Sequence, residues 1–408
     1  MDTLKRNIPI LIILGMVLLF HLYLLRFGDP IQLTAPDEKK YSRMAETIIE
    51  EKFYSYQGGG PDAYVTPGHP FYLVSSFLLA DIFNIDRIKF TVVLNLIMNL
   101  LTILIIYHIA HRLFHNQTIS VMATSLFAFT LAQYHYFRHL LTEVPGAFTF
   151  YLAVLLFIIA FQENQKKWHI LFGFAAAYSL MVRPTPAPML LLAYGIILYR
   201  YKWKESLKIG LLWWVGPLFI ILPWSIRNYL AFQQFHLFSS HAGNPMLGGT
   251  DPFYLRDKPI SLAREGSNLG FSNKEYAIER IKEGLKNNPV LWISWFTLGK
   301  TLWMFREPDR INYFSLPQWG VTLYYLHHFF VLIGGTLTAW FLRHNGRIAA
   351  LTGVIIIFVA VSNVFLPLTR YAQFIVPVFC ILVAVGIQKF YQYLFDIYKD
   401  FLSKSTLE

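Results

Sequence analysis

Two adjacent acids, Asp37 and Glu38, stand about ten residues beyond an apolar stretch, 8–27, in the run Thr34-Ala-Pro-Asp-Glu-Lys-Lys-Tyr41. A carboxylate held at a membrane surface can take a proton from a hydroxyl, which is the work of a general base. Asp37 equally suits a helix start after Pro36, where acids offset the helix dipole. Further polar groups recur near the ends of apolar stretches: Arg138-His139-Leu-Leu-Thr142-Glu143, Arg183-Pro-Thr185, Arg227-Asn228-Tyr229 and Thr369-Arg370-Tyr371. An arginine fork grips phosphate with two parallel hydrogen bonds, so several arginines around two acids could hold an anionic lipid headgroup beside a base. The same arginines could instead snorkel from helix ends, Glu143 could only stabilise a helix N-terminus, and His69, between Gly68 and Pro70, could be an ordinary turn residue. His135, His139, His236 and His241 are scattered without metal-ligand spacing. The sequence shows no His/Cys cluster, phosphate loop, dinucleotide fingerprint or Ser-His-Asp signature.

Positioning such groups falls to membrane helices. Of 408 residues, 55% are hydrophobic and 14% charged, against about a quarter charged in soluble domains. Ten apolar runs read as spans: 8–27, 88–110, 118–133, 144–161, 168–182, 186–199, 209–226, 319–341, 348–366 and 372–388. The net charge of +11 sits mostly at span ends, as topology signals and lipid-phosphate contacts, which argues against nucleic acid as a partner. The single cysteine, Cys380, excludes an intrachain disulfide. The first span follows Lys5 and Arg6, lacks a small-x-small cleavage site and is expected to stay as an anchor.

With the N-terminus inside, Arg112, Lys166, Lys167, Arg200 to Lys208, Arg343 and Arg347 all fall on short inner loops, as the positive-inside rule requires. Inserting 69–83 would invert that pattern, so this stretch is expected as a juxtamembrane helix on or dipping into the outer leaflet, and 289–305 likewise. The expected fold is all-α: a polytopic bundle of about 10–11 spans with juxtamembrane helices in the first outer loop. Residues 1–390 form the transmembrane domain and 391–408 a cytoplasmic tail. Two large segments, 28–87 and 227–318, lie outside. In the first, Tyr41, Met44, Ala45, Ile48 and Ile49 repeat at helical spacing and predict an amphipathic helix flat on the membrane.

The order and sidedness of these motifs resemble the GT-C glycosyltransferases. Asp37-Glu38 with Tyr41 and Ala45, then Thr66-Pro-Gly-His-Pro70, is similar to the first outer loop of the protein O-mannosyltransferase and aminoarabinose-transferase superfamily. Thr142-Glu143, Arg183-Pro184-Thr185, Pro223-Trp224-Ser-Ile-Arg227-Asn228-Tyr229 and Arg370-Tyr371 with Pro377 continue the likeness over nearly the whole chain.

The resemblance implies an integral membrane enzyme that transfers a sugar from a polyprenyl-phosphate donor outside the cytoplasm, with inversion. Under it Asp37 is the general base and Glu38 positions it or the acceptor. Glu143 binds acceptor or orients the base. Arg370, then Arg183 and Arg227, stabilise the leaving phosphate, and Tyr41, His69 and Tyr371 line the substrate site. No cofactor or metal is expected, although oligosaccharyltransferase relatives set acids around a divalent ion. The chain is short for the superfamily, ends soon after the last span and shows no β-trefoil-like insertion. The acceptor is therefore left open among lipid, cell-wall polymer, glycan and protein. The compact size favours a prokaryotic plasma membrane. The alternative is a lipid-linked-sugar transporter or flippase, which would show paired repeats and helices broken near the midplane.

Overall fold

The computed structural model describes residues 2–240, 243–255, 259–309 and 314–405, and among them every regular element is helical. All ten apolar runs fall on helices. Six of these are long and apolar enough to cross a membrane: α1 (Asp2–Phe27), α4 (Arg87–Phe114), α7 (Glu143–Glu163), α10 (Trp203–Phe232), α16 (Gln318–Phe341) and α19 (Val376–Ser405). The protein is an integral, multi-pass membrane protein. The remaining runs form shorter helices, α5 (Gln117–Ala128), α8 (Lys166–Val182), α9 (Met189–Arg200) and α17 (Gly346–Ser362). The run 118–133 breaks near Thr130 and resumes as α6 (Ala132–Tyr136). Through Ser405 the expected tail continues α19 as helix.

The core is built where α4, α5, α7 and α19 meet, on Ile103, Ile106, Tyr151, Ile375 and Cys380. Tyr151 donates to the Phe374 carbonyl at 2.8 Å, so even the deep core carries a satisfied polar anchor. The two ends of the bundle differ in chemistry. At one, Arg112 bonds Gln162 and Glu163, and Arg200 bonds the Phe161 carbonyl. The other end receives the first turn of α7, the last of α8, and α2 (Pro36–Glu50).

At that second end α2 is held by protein. Its apolar residues pack on the protein itself: Met44 and Ile48 lie with Met181 and Trp224, and Ala45 and Ile49 with Leu73 and Phe77. The stripe that predicts a helix flat on lipid is thus a packing face, because α3 (Gly68–Ile82) and the ends of α8 and α10 cover it. α3 lies antiparallel along the start of α4. Tyr72 donates to Asn95, Ser76 pairs with Thr91, and Arg87 forks onto Asp81 at 2.8 Å for both bonds. Phe71, Leu78, Leu79, Ile82 and Phe83 stay exposed on its outer side. A glycine is needed at position 68, where a Cβ would lie 2.6 Å from backbone atoms of Met181 and Val182.

The second long segment folds as α11 (Gly243–Gly248), α12 (Pro259–Asn268), α13 (Asn273–Asn287), α14 (Pro289–Ser294) and, after a wide turn, α15 (Lys300–Phe305). Leu247, Leu262, Tyr276 and Ala277 form its small core, so it is more than a linker. It docks on the first loop through Ser240 N–H to Ala63 O at 2.8 Å and Asn244 to the Tyr64 hydroxyl at 2.9 Å. His241 lies outside the described residues.

Candidate active site

Ala35, not Asp37, caps α2. Pro36 takes the first helical position, its preset φ suiting a place where no N–H is needed. Asp37 and Glu38 follow, and successive helical residues point about 100° apart. Glu38 therefore turns inward, fully buried, while Asp37 stays exposed.

Every side of the Glu38 carboxylate is occupied. It accepts from Thr34 N–H at 3.2 Å, Ala35 N–H at 2.9 Å, Leu140 N–H at 3.1 Å and His139 Nδ1 at 2.8 Å. Burial pushes its pKa up, but the His139 hydrogen bond and charge and the backbone donors outweigh that and hold it below the ordinary value. An ionised carboxylate only accepts, so Nδ1 of His139 carries the proton. Glu38 thus ties the 28–87 segment to the 137–143 turn and has no lone pair left for a substrate.

Asp37 accepts one hydrogen bond, from the Tyr56 hydroxyl at 3.0 Å, and remains open to an incoming group. One turn on, Tyr41 lies half-buried with its edge against Tyr56 at 5.1 Å and His69 at 4.6 Å between centroids. Burial, then Asp37 and Glu143, raise the Tyr41 pKa while Arg183 and Arg370 oppose them, so all four charges act on this phenol. His69 is buried and pushed down to about 4 by burial. Neutral at physiological pH, it donates from Nε2 to the Leu140 carbonyl at 3.1 Å, and its Nδ1 has no partner.

Behind Tyr41 stands the second acid. Glu143 opens α7, 8% exposed, with Oε1 3.6 Å from an Arg183 nitrogen and Oε2 buried without a partner. Arg183 is extended because Pro184 follows it, a residue that disfavours helix in its predecessor. Its guanidinium lies over Tyr371 at 5.4 Å and Phe374 at 5.9 Å. Arg370 sits on α18 (Thr369–Ala372), its guanidinium 5.3 Å from the centre of the Tyr371 ring. Burial disfavours its charge, but Glu143 and Tyr371 outweigh that and raise its pKa, so it stays cationic. The Arg370 Nε is buried with no partner.

The Arg183 stem crosses α7 at Gly146, where an added Cβ would lie 3.0 Å from the arginine Cδ. Gly146→Ala is expected to change stability by less than about 1 kcal/mol, since the gain in helix propensity offsets a small shift of a flexible chain. Gly146→Leu should cost about 1–3 kcal/mol by overpacking. Thermal unfolding of both variants in detergent checks the contrast.

Arg227 is not gathered with these groups. It donates to the carbonyls of Asp62 at 2.7 Å and Tyr54 at 3.4 Å and lies over the Tyr54, Trp224 and Phe232 rings. It clamps the 54–62 turn to the end of α10, and so acts on the site through Tyr56 and Tyr64, which stack at 5.3 Å. The structure also brings in residues that sequence reasoning missed as site groups. Tyr56 bonds the exposed acid, and Asp309, 5% exposed, accepts from Tyr136 at 2.7 Å and Thr369 at 2.8 Å. Neither carries a spacing signal; a buried acid in Glu307-Pro308-Asp309 looks like any loop acid. As to a divalent ion, no group of three His, Cys, Asp or Glu able to hold one exists among the described residues. The cations beside Glu143 are Arg183 and Arg370.

The membrane bundle, with two long segments closing over one acidic and arginine-rich end, has the fold of GT-C glycosyltransferases, in keeping with the resemblance read from the motifs. Residues 68–226 match the family model described as dolichyl-phosphate-mannose-protein mannosyltransferase. That segment includes His69, Glu143 and Arg183, whereas Asp37, Glu38, Tyr41, Arg370 and Tyr371 lie outside it.

The fold is shared with the oligosaccharyltransferase of Archaeoglobus fulgidus tethered with an acceptor peptide. The likeness covers 97% of this chain and 51% of that one, at 15% identity and a TM-score of 0.59. The oligosaccharyltransferase AglB from Archaeoglobus fulgidus, in complex with an inhibitory peptide and a dolichol-phosphate, matches over 97% and 52%, at 14% identity and a TM-score of 0.56. ArnT from Cupriavidus metallidurans bound to undecaprenyl phosphate matches over 94% and 77%, at 13% identity and a TM-score of 0.41. The chain thus spans about half the length of the oligosaccharyltransferase. No curated protein matches it by sequence.

Proposed function

We propose that this protein transfers a hexose or pentose from a polyprenyl-phosphate-linked donor to a hydroxyl acceptor by inverting single displacement. The observation that carries this reading is an exposed carboxylate, Asp37, set beside a buried acid–arginine group, Glu143, Arg183 and Arg370, at one end of a membrane bundle. Arg183 and Arg370 are the donors offered to a phosphate, with the Arg370 Nε still without a partner. The archaeal relative of this fold was solved with a dolichol-phosphate, which supports a lipid phosphate as the carrier.

Asp37 takes the proton as the acceptor oxygen bonds to the anomeric carbon, and the bond from that carbon to the phosphate oxygen breaks. Polyprenyl phosphate leaves, its charge met by Arg370 and Arg183, fixed donors that need no reorganisation. Glu143 keeps both arginines aimed, and Glu38 holds the Asp37 turn in place. Arginines in this role make a divalent ion unnecessary. The basic loops at the opposite end put that end inside, so the site faces the extracytoplasmic side, and the membrane is a prokaryotic plasma membrane. The acceptor, lipid, glycan or protein, approaches from the segment 227–318.

The test is transfer by purified protein in lipid, with radiolabelled polyprenyl-phosphate sugars and a membrane extract as acceptor. Label should move to the acceptor, and chelation with EDTA should leave the rate within about twofold, since no step uses a metal. A loss restored by manganese or magnesium would overturn the metal-free reaction. Donor bound and moved across the bilayer without transfer would make the protein a flippase instead.

A further inference from the structure

Arg370 stands on a helix of four residues, too short to hold itself, so its aim is set by what grips that turn. The grip comes from the second outer segment. Asp309, just beyond α15, accepts from the hydroxyl of Thr369, the residue before Arg370, at 2.8 Å. Its other oxygen accepts from the hydroxyl of Tyr136, the last residue of α6, at 2.7 Å. Tyr136 is 2% exposed and close enough to Arg370 to act on its charge, and it leads into the turn that carries Leu140 and Glu143. One buried carboxylate therefore joins the wall bearing Arg370 to the wall bearing Glu143.

We propose that Asp309 is a positioning residue for the donor phosphate, holding Arg370 at its working distance from Glu143 through Thr369 and Tyr136. This rests on the reading of Arg370 as a phosphate contact. Two short bonds to a charged acceptor, made in a buried place, are each stronger than neutral ones. Losing one lets the short helix rotate and takes the Arg370 donor off the phosphate. The segment 227–318 thereby touches both reacting partners: through Asn244, Tyr64 and Tyr56 it reaches Asp37, and through Asp309 it reaches Arg370.

Binding of undecaprenyl phosphate to purified protein in nanodiscs, followed by native mass spectrometry, tests this. Thr369→Val and Asp309→Asn should each weaken binding roughly 5–20-fold, with Arg370→Ala losing at least as much. Because Asp309 acts through Arg370, the double variant Asp309→Asn/Arg370→Ala should bind no worse than Arg370→Ala alone. In transfer assays the donor KM should rise while the acceptor KM stays put, a split that general loosening of the fold would not produce. If Asp309→Asn fails to fold, Thr369→Val, which deletes a single hydroxyl, decides. Wild-type binding by Thr369→Val while Arg370→Ala binds poorly, or a double variant with additive losses, overturns the proposal. Wild-type binding by Arg370→Ala instead defeats the phosphate-contact reading itself, and the role of Asp309 with it.

Discussion

Asp37→Asn is expected to lower the turnover of sugar transfer by about 10²–10⁴-fold, the range for loss of a general base. The substitution is close to isosteric, and the native contact it must preserve is one hydrogen bond from the Tyr56 hydroxyl, which the amide oxygen accepts as well. Asp37 is exposed, so stability should shift by less than about 0.5 kcal/mol. Undecaprenyl phosphate should bind as it does to wild type, because the proposed phosphate contacts are the arginines and not Asp37. Kinetics with saturating donor and a parallel binding assay separate these effects. Full turnover in Asp37→Asn would remove the residue from the reaction, and lost binding would move it into the donor site. Asp37→Glu should recover part of the rate, since the carboxylate survives on a longer stem.

Glu38→Ala should do the opposite, damaging the fold before the chemistry. Four donors converge on this carboxylate, one of them His139 and three of them backbone N–H groups. Each buried donor left without water or partner costs about 1–3 kcal/mol, and truncating Glu38 strands several at once. The variant should therefore unfold at markedly lower temperature, and at temperatures where it is folded its first outer loop should exchange amide hydrogen faster. The same network predicts a pH dependence. The pKa of Glu38 is depressed on folding from its ordinary value of 4.5, so the folded state binds fewer protons than the unfolded chain in that range. Its contribution is complete above about pH 4.5 and is lost as pH falls through the lower folded value. Thermal melts from pH 7 to 3 should show that loss in the wild type, and Glu38→Gln should lack this component. Equal acid sensitivity in the two proteins would refute the assignment.

Adjacent in sequence, the two acids look interchangeable, and either could be a base. Helical geometry rotates them apart, and tertiary packing then decides which is which. His139 and Leu140, about a hundred residues on, close around Glu38, while Asp37 keeps an open side. The arginines divide for the same reason. Arg183, Arg227 and Arg370 all follow apolar runs, and charge at a helix end is legible; the neighbours across space are not. Arg227 meets loop carbonyls that absorb its donors, whereas Arg183 and Arg370 meet Glu143, set by the crossing of α7 with α8 and the last helices.

Composition and periodicity alone determined the membrane class, the helical architecture and the positions of the apolar runs, because burial in lipid requires long apolar stretches whatever their partners. The amphipathic stripe of α2 was equally legible, but its cover was not, since lipid and protein both satisfy an apolar face. Tertiary structure decided that α3 and the ends of α8 and α10 provide that cover, that Glu38 is a fastener and that Tyr56 reaches Asp37. It also made Asp309 a link between Tyr136 and Thr369. The two Asp309 bonds join segments 60 and 173 residues apart, and no local spacing encodes a distance across a folded bundle.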